Sequence, residues 1–226
     1  QAHDHETVLK IDLFDDVGFS DLGCYGGEIE TRAMNRLAAT GVRFTNFHTT
    51  ALCSPTRASL LTGRNHHSVG MGIVANWDTG FPGFRGRISR RAATLAEMLR
   101  PQGYNTYAVG KWHLVPTDEM TATGPYDHWP LRRGFDRYYG FLDGGTDHWS
   151  PDLVEDNRPI DPPRTPGYHL SADLADRAIT MVREHRSVYP EKPFFLYFCF
   201  GAGHYPLHAP AAGDYVPWAP SPSPQV

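Results

Sequence analysis

The chain has 226 residues, of which 40% are hydrophobic and 20% charged, with a formal net charge of −4. That length holds one large domain or two small ones with a packed core. The acidic balance argues against nucleic acid or an anionic membrane as the main partner, because both require a basic face. Three cysteines, Cys24, Cys53 and Cys199, are too few and too scattered for a disulfide framework. No stretch approaches the roughly 20 apolar residues of a membrane span. The chain opens at Gln1 without Met or an apolar leader, so the expectation is that any signal peptide is absent or removed. No compartment is indicated.

Strand and helix patterns alternate along the chain, which favours an α/β fold with a mostly parallel sheet. Residues 7–14 read as a first strand. Leu9, Ile11 and Leu13 alternate there with Lys10 and Asp12, whereas a doubly covered central strand is apolar on both faces, so this strand is either compromised or at an edge. Residues 31–40 read as a helix with Thr31 as N-cap and Gly41 past its end. Residues 42–47 read as a short strand.

A helix is expected over 55–62, with Ser54 as N-cap and Pro55 at the first helical position. Thr94 and Glu97 form a capping box that opens a helix over 94–100. Gly103 closes it, and a strand over 104–109 follows. Residues 116–170, rich in Pro, Gly, Asp and aromatics, read as one long irregular insertion of the kind that walls a site.

A helix over 171–186 carries an apolar stripe of Leu174, Ala178 and Val182, flanked by Ala175 and Ile179. The run from Phe194 to Phe200 has the continuous apolar character of a buried parallel strand. Four prolines in the last ten residues exclude a regular helix or central strand there and predict disorder.

Polar residues gather where these strands end. Asp15 and Asp16 follow the first strand, Lys111 and His113 the second, and His204 the last. Ligands of open α/β sheets bind beyond the carboxyl ends of strands. Cys53 stands at a helix start, where free N–H groups and a partial positive charge favour an anion. Arg57 lies one turn further on and can reach the same anion. Arg57, Lys111, His113 and His204 suit a tetrahedral oxyanion. Asp15 and Asp16 would repel it unless a cation intervened, and hard carboxylates suit Ca²⁺ or Mg²⁺. The residues therefore point to a metal-assisted site for a sulfate or phosphate ester.

Cys53-Ser54-Pro55-Thr56-Arg57, followed by Leu61-Thr62-Gly63-Arg64, resembles the type I sulfatase signature C-x-P-x-R-x-x-x-L-T-G-R. Asp15-Asp16-Val17-Gly18-Phe19, Gly110-Lys111-Trp112-His113 and His204-Tyr205-Pro206-Leu207 resemble the D-D-x-G-x, G-K-W-H and H-x-P-L motifs of the same family. The resemblance runs over about residues 7–210 and is nearest to the large bacterial arylsulfatases.

The resemblance implies an alkaline-phosphatase-like α/β fold. Residues 1–210 would form the N-terminal part of a sulfatase catalytic domain and residues 211–226 a Pro-rich, disordered tail. It implies that a formylglycine-generating enzyme oxidises Cys53 to Cα-formylglycine. One hydroxyl of the hydrated aldehyde would attack sulfur, and the other would then expel sulfate.

By position, Arg57 would hold the formylglycine and Lys111 would contact both it and the sulfate. His113 would assist sulfate release, and His204 would contact the sulfate or donate to the leaving oxygen. Asp15, Asp16 and the modified Cys53 would bind Ca²⁺, with Mg²⁺ as the second choice. Ca²⁺ takes six to eight oxygens, and the family's Asp-Asn-Gly metal segment and further active-site Lys have no counterpart in these residues. Arg32-Ala33 also stands where the family has Pro-Asn.

The implied substrate is a small sulfate monoester, aryl in type. Two alternatives accompany this reading: a truncated, non-catalytic sulfatase fragment, and a phosphonate or phosphodiester hydrolase of the same superfamily. Segments 76–90 and 116–170 are expected to line the leaving-group pocket; their aromatics Trp77, Trp129, Tyr138, Tyr139 and Trp149 suit an aryl or glycan pocket and are equally explained by core packing. Cys24 and Cys199 match no functional position, and Cys199 is expected in the core.

Overall fold

The computed structural model describes residues 8–209. The Pro-rich stretch expected to be disordered lies outside them. The described residues divide into two compact units, one of residues 8–15 and 50–208, the other of residues 16–49 and 209.

The larger unit is built on a six-stranded sheet: β1 (Val8–Leu13), β2 (Asn105–Lys111), β3 (Arg137–Phe141), β4 (Leu153–Glu155), β5 (Arg158–Ile160) and β6 (Phe194–Cys199). Their spatial order is β1-β6-β2-β3-β4-β5. β1, β6, β2 and β3 run parallel, while β4 and β5 add on antiparallel. In keeping with its alternation, β1 is an edge strand, and Lys10 pairs with Asp12 along it at 3.0 Å.

The helices of this unit are α2 (Cys53–Thr62), α3 (Leu95–Leu99) and α4 (Leu170–Val188), and α1 (Arg32–Thr40) belongs to the smaller unit. Among the described residues no helix is long and apolar enough to cross a membrane.

The period of two in β6 explains the layers. Phe195, Tyr197 and Cys199 point to a core shared with Ala58 and Leu61 of α2, Trp112 and Phe135. Phe194, Leu196 and Phe198 point to the opposite core, with Leu170, Leu174, Ala178 and Met181 of α4. A strand covered on both faces must be apolar throughout, and every residue of β6 is buried.

Several expected elements shift. The 42–47 segment is not a strand. Val42, Phe44 and Phe47 are exposed, and Arg43 turns back to donate to the Cys24 carbonyl instead of extending a ladder. The 116–170 region is not wholly irregular, because β3, β4 and β5 lie within it. The stripe on α4 is rotated: Met181 and His185 are buried, while Ile179 faces outward. The capping box at Thr94 and Glu97 forms as expected, at 3.2 and 2.7 Å.

Helix α2 begins two residues before the expected position. Leu52 is its N-cap and Cys53 its first residue. Ser54 does not cap. Its hydroxyl accepts from the Ala75 N–H at 3.1 Å, so it ties the helix start to the 75–76 loop.

Candidate active site

The larger unit brings five of the expected residues together: Asp15, Cys53, Arg57, Lys111 and His113. Helix α2 places Cys53 in its first turn and Arg57 one turn later. β2 ends at Lys111, and the chain then turns through His113, whose φ of 51° is left-handed. This turn is held by the His113 N–H donating to the Leu142 carbonyl at 2.9 Å. Cys53 Sγ lies 3.0 Å from His113 Nδ1. Arg57 Nη1 donates to the Lys111 carbonyl at 2.7 Å, which fixes α2 against the end of β2.

Arg57 and Lys111 also belong to a buried charge cluster. Asp15 sets one carboxylate oxygen against Lys111 Nζ and the other 3.6 Å from Arg57 Nη2. All three side chains are buried, and the trio carries two cations for one anion. Burial works against the Arg57 charge, but Cys199, Tyr197, Asp15 and Cys53 around it outweigh that and raise its pKa. Burial pushes Cys199 and Tyr197 up, so both are neutral at ordinary pH and Asp15 is the effective counter-ion. Arg57 Nε and Nη2 have no hydrogen-bond partner among the described residues. Unpaired buried donors are rare, and an oxygen ligand placed beside them would be welcome.

His113 is neutral. Burial first, then the Lys111 and Arg57 cations, push its pKa down from the usual 6.5 to about 3. Because the folded value lies below the unfolded one, the unfolded chain binds more protons between these limits. The contribution to stability is therefore full above about pH 6.5 and is lost as pH falls toward 3, by on the order of a few kcal/mol. Urea midpoints measured from pH 7 down to pH 4 should fall, and His113→Gln should flatten the slope. Parallel slopes in the two proteins would contradict this assignment.

Asp16, with φ of 53°, opens the smaller unit. His204 follows β6 and is half-buried, with Nδ1 2.6 Å from the Tyr205 carbonyl. A carbonyl only accepts, so Nδ1 carries a proton and the neutral ring offers Nε2 as an acceptor. Gly145 brings the two histidine segments close. A Cβ there would meet the Tyr205 carbonyl at 3.0 Å and His204 Nδ1 at 3.5 Å, and one at the neighbouring Gly144 would meet the His113 ring at 2.7 Å.

The motifs give no hint of Asn76 and Asp143. Asn76 Oδ1 is 2.7 Å from His113 Nε2, and Asn76 Nδ2 donates to Asp143 Oδ1 at 2.8 Å. The only sequence signal was the assignment of 76–90 and 116–170 to the site wall. A cavity of about 500 Å³ does border this region, lined by Thr117, Trp129, Asp143, Thr146 and Pro159 among others. Of the aromatics expected in a pocket, Tyr138 and Tyr139 are core residues, and Trp77 and Trp149 are exposed.

The residues present do not by themselves make a calcium site. Among the described residues no group of three or more His, Cys, Asp or Glu side chains is arranged to hold a metal. Both Asp15 oxygens already face cations. A thiol is also a soft donor, poorly matched to Ca²⁺.

A sheet covered by helices on both faces, a helix start carrying a cysteine beside a neutral imidazole, and a buried cationic cluster make a site suited to a tetrahedral anion. Residues 13–216 match the sulfatase family model, and the chain belongs to the sulfatase family. It is 34% identical to an uncharacterized sulfatase of Schizosaccharomyces pombe over 93% of this chain and 40% of that protein. It is 30% identical to an arylsulfatase of Klebsiella aerogenes over 92% of this chain and 45% of the relative. Human arylsulfatase A is 34% identical over 85% of this chain and 40% of its own length. The chain thus spans less than half of these relatives. Among solved structures, Ps i-CgsB superposes with a TM-score of 0.77 at 26% identity, covering 92% of this chain and 47% of that one. The relatives and structural neighbours bear out the expected alkaline-phosphatase-like fold.

Proposed function

We propose that this chain carries the nucleophile half of a sulfatase active site that hydrolyses sulfate monoesters. The observation that supports this reading most is the pairing of Cys53 Sγ with His113 Nδ1 at 3.0 Å, on the same helix α2 whose Arg57 joins the cluster with Asp15 and Lys111. Formylglycine at position 53, made by a formylglycine-generating enzyme, would supply one hydroxyl to attack sulfur and a second to release sulfate.

The chain's own residues would do the following. The first turn of α2 offers free N–H groups to negative charge at position 53. His113 Nδ1 accepts the proton from the group at that position. Arg57 and Lys111, with one Asp15 carboxylate between them, supply a fixed net positive charge to a tetrahedral anion. His204 can donate to a leaving oxygen only as an imidazolium, since its neutral ring presents an acceptor. Formylglycine at position 53 would give Ca²⁺, or Mg²⁺ as second choice, an oxygen in place of the soft thiol, and Asp15 would join it only by giving up one of its two cations.

The substrate class is a small sulfate ester, aryl in type by analogy with the arylsulfatase relatives. One structural neighbour at 28% identity was solved with its substrate D-glucosamine-2-N,6-O-disulfate, so a sugar sulfate belongs in the same assay. Aryl phosphonate, assayed in parallel, separates the phosphonate-hydrolase alternative. Peptide mass spectrometry on the segment holding Cys53, after co-expression with a formylglycine-generating enzyme, should find the thiol replaced by an aldehyde. Unmodified cysteine throughout would remove the proposed nucleophile.

A further inference from the structure

Asn76 belongs to none of the motifs, yet its carboxamide bridges His113 and Asp143. The two ends of an amide have the same shape and are told apart by their neighbours. Asp143 is a carboxylate, which when ionised only accepts, so it must receive the NH₂ end. Asn76 Nδ2 also reaches Thr117 Oγ1 at 3.4 Å. The amide oxygen is then left facing His113 Nε2, and an amide oxygen likewise only accepts. Nε2 must carry the proton. A neutral imidazole has one N–H, so Nδ1 is bare and points at Cys53 Sγ. With the amide reversed, its NH₂ would donate to Nε2, the ring proton would move to Nδ1, and position 53 would face an N–H instead of an acceptor.

We propose that Asn76, oriented by Asp143, is a positioning residue that sets the tautomer of His113 and so leaves Nδ1 free to take a proton from the group at position 53. This rests on the reading of His113 given under Proposed function.

The surrounding contacts hold each member of this relay in place. Asp143 Oδ1 also accepts from the Gly144 N–H at 2.6 Å, which fixes the carboxylate. Gly144 lies flat against the His113 ring, where a Cβ would come within 2.7 Å of Cε1. The Ala75 N–H, next to Asn76, donates to Ser54 in the first turn of α2. The amide is thus tethered to the same helical turn that carries Cys53. Nearly complete burial of His113 keeps water from supplying an alternative partner to the ring.

The test is a long-range ¹H–¹⁵N correlation spectrum of the chain labelled at histidine, with the His113 signals identified by their loss in His113→Gln. The parent should show Nε2–H. Asn76→Leu removes the acceptor and should give a mixture or Nδ1–H. Asn76→Gln keeps both the accepting oxygen and the NH₂ that Asp143 receives, and should restore Nε2–H. Asp143→Ala, at an exposed position, frees the amide to turn and should also raise the Nδ1–H population. Nδ1–H in the parent, or Nε2–H retained in Asn76→Leu, would overturn the proposal. If Asn76→Leu does not fold, an unshifted tautomer in Asp143→Ala overturns it instead. Where sulfate-ester turnover is measurable, Asn76→Leu should lower kcat roughly tenfold or more with KM little changed, and Asn76→Gln should recover part of it. A parent that turns over no sulfate ester would sink the hydrolase reading, while the tautomer populations would still decide the role of Asn76.

Discussion

Replacing Cys53 with alanine should abolish sulfate-ester turnover, with a fall of at least about 10³-fold. The expectation follows from what remains. Arg57, Lys111 and the start of α2 can still attract an anion, so binding falls much less than rate. No other side chain in the cluster can take over as nucleophile: Lys111 is turned to Asp15, Arg57 is held by the Lys111 carbonyl, and Cys199 lies in the core of β6. The methyl group of alanine fills most of the thiol's space in the first turn of α2, so stability should change by less than about 1 kcal/mol. The measurement is release of an aryl leaving group with added Ca²⁺, with parent and variant prepared identically. Equal rates would remove the enzyme reading for this chain and leave the non-catalytic alternative standing.

The largest effect on stability is expected at Gly110. It sits in β2 between Cys199 of β6 and Gly140 of β3 with φ of 96°. A left-handed backbone costs an L-residue about 1–2 kcal/mol. A Cβ at this position would also overlap the Cys199 carbonyl oxygen, which belongs to the central strand and cannot yield without breaking the ladder. Gly110→Ala should therefore cost more than about 4 kcal/mol, in the range reserved for severe backbone conflicts. Gly103 provides the control: its φ is nearly the same, 92°, but nothing lies within 4 Å of its Cβ position. Gly103→Ala should cost only the conformational part. Urea midpoints of the two variants separate the terms, and similar midpoints would contradict the close approach at Gly110.

Much of the site was readable from sequence because its residues stand at strand ends and in short motifs. Asp15, Lys111 and His113 follow strands that could be placed from apolar runs, and the signature around Cys53 is contiguous. The start of α2 was misplaced because Pro55 is as acceptable at the third helical position as at the first, and Ser54 spends its hydroxyl on Ala75 rather than on a cap. The strands β3, β4 and β5 were hidden because two of them are three residues long and Gly140 interrupts the third. Asn76 and Asp143 were not legible at all. They are 67 residues apart, and what unites them is a hydrogen bond that only the folded geometry creates.

The strand order carries a consequence for biosynthesis. β1 and β2 never touch as neighbours; each pairs with β6, whose register partners for Val8 and Asn105 are both Phe194. A ribosome delivers β1 first and β6 last among these strands, so the emerging chain holds its first strand unpaired until some 180 residues later, with the separation that makes non-local pairing slow. Until then nothing joins the strand that leads into Asp15 to the strand that ends at Lys111. The charge cluster of Asp15, Arg57 and Lys111 is thus a late event in folding. Under the proposed oxidation of residue 53, the interval before β6 inserts is when its segment is still open to a modifying enzyme.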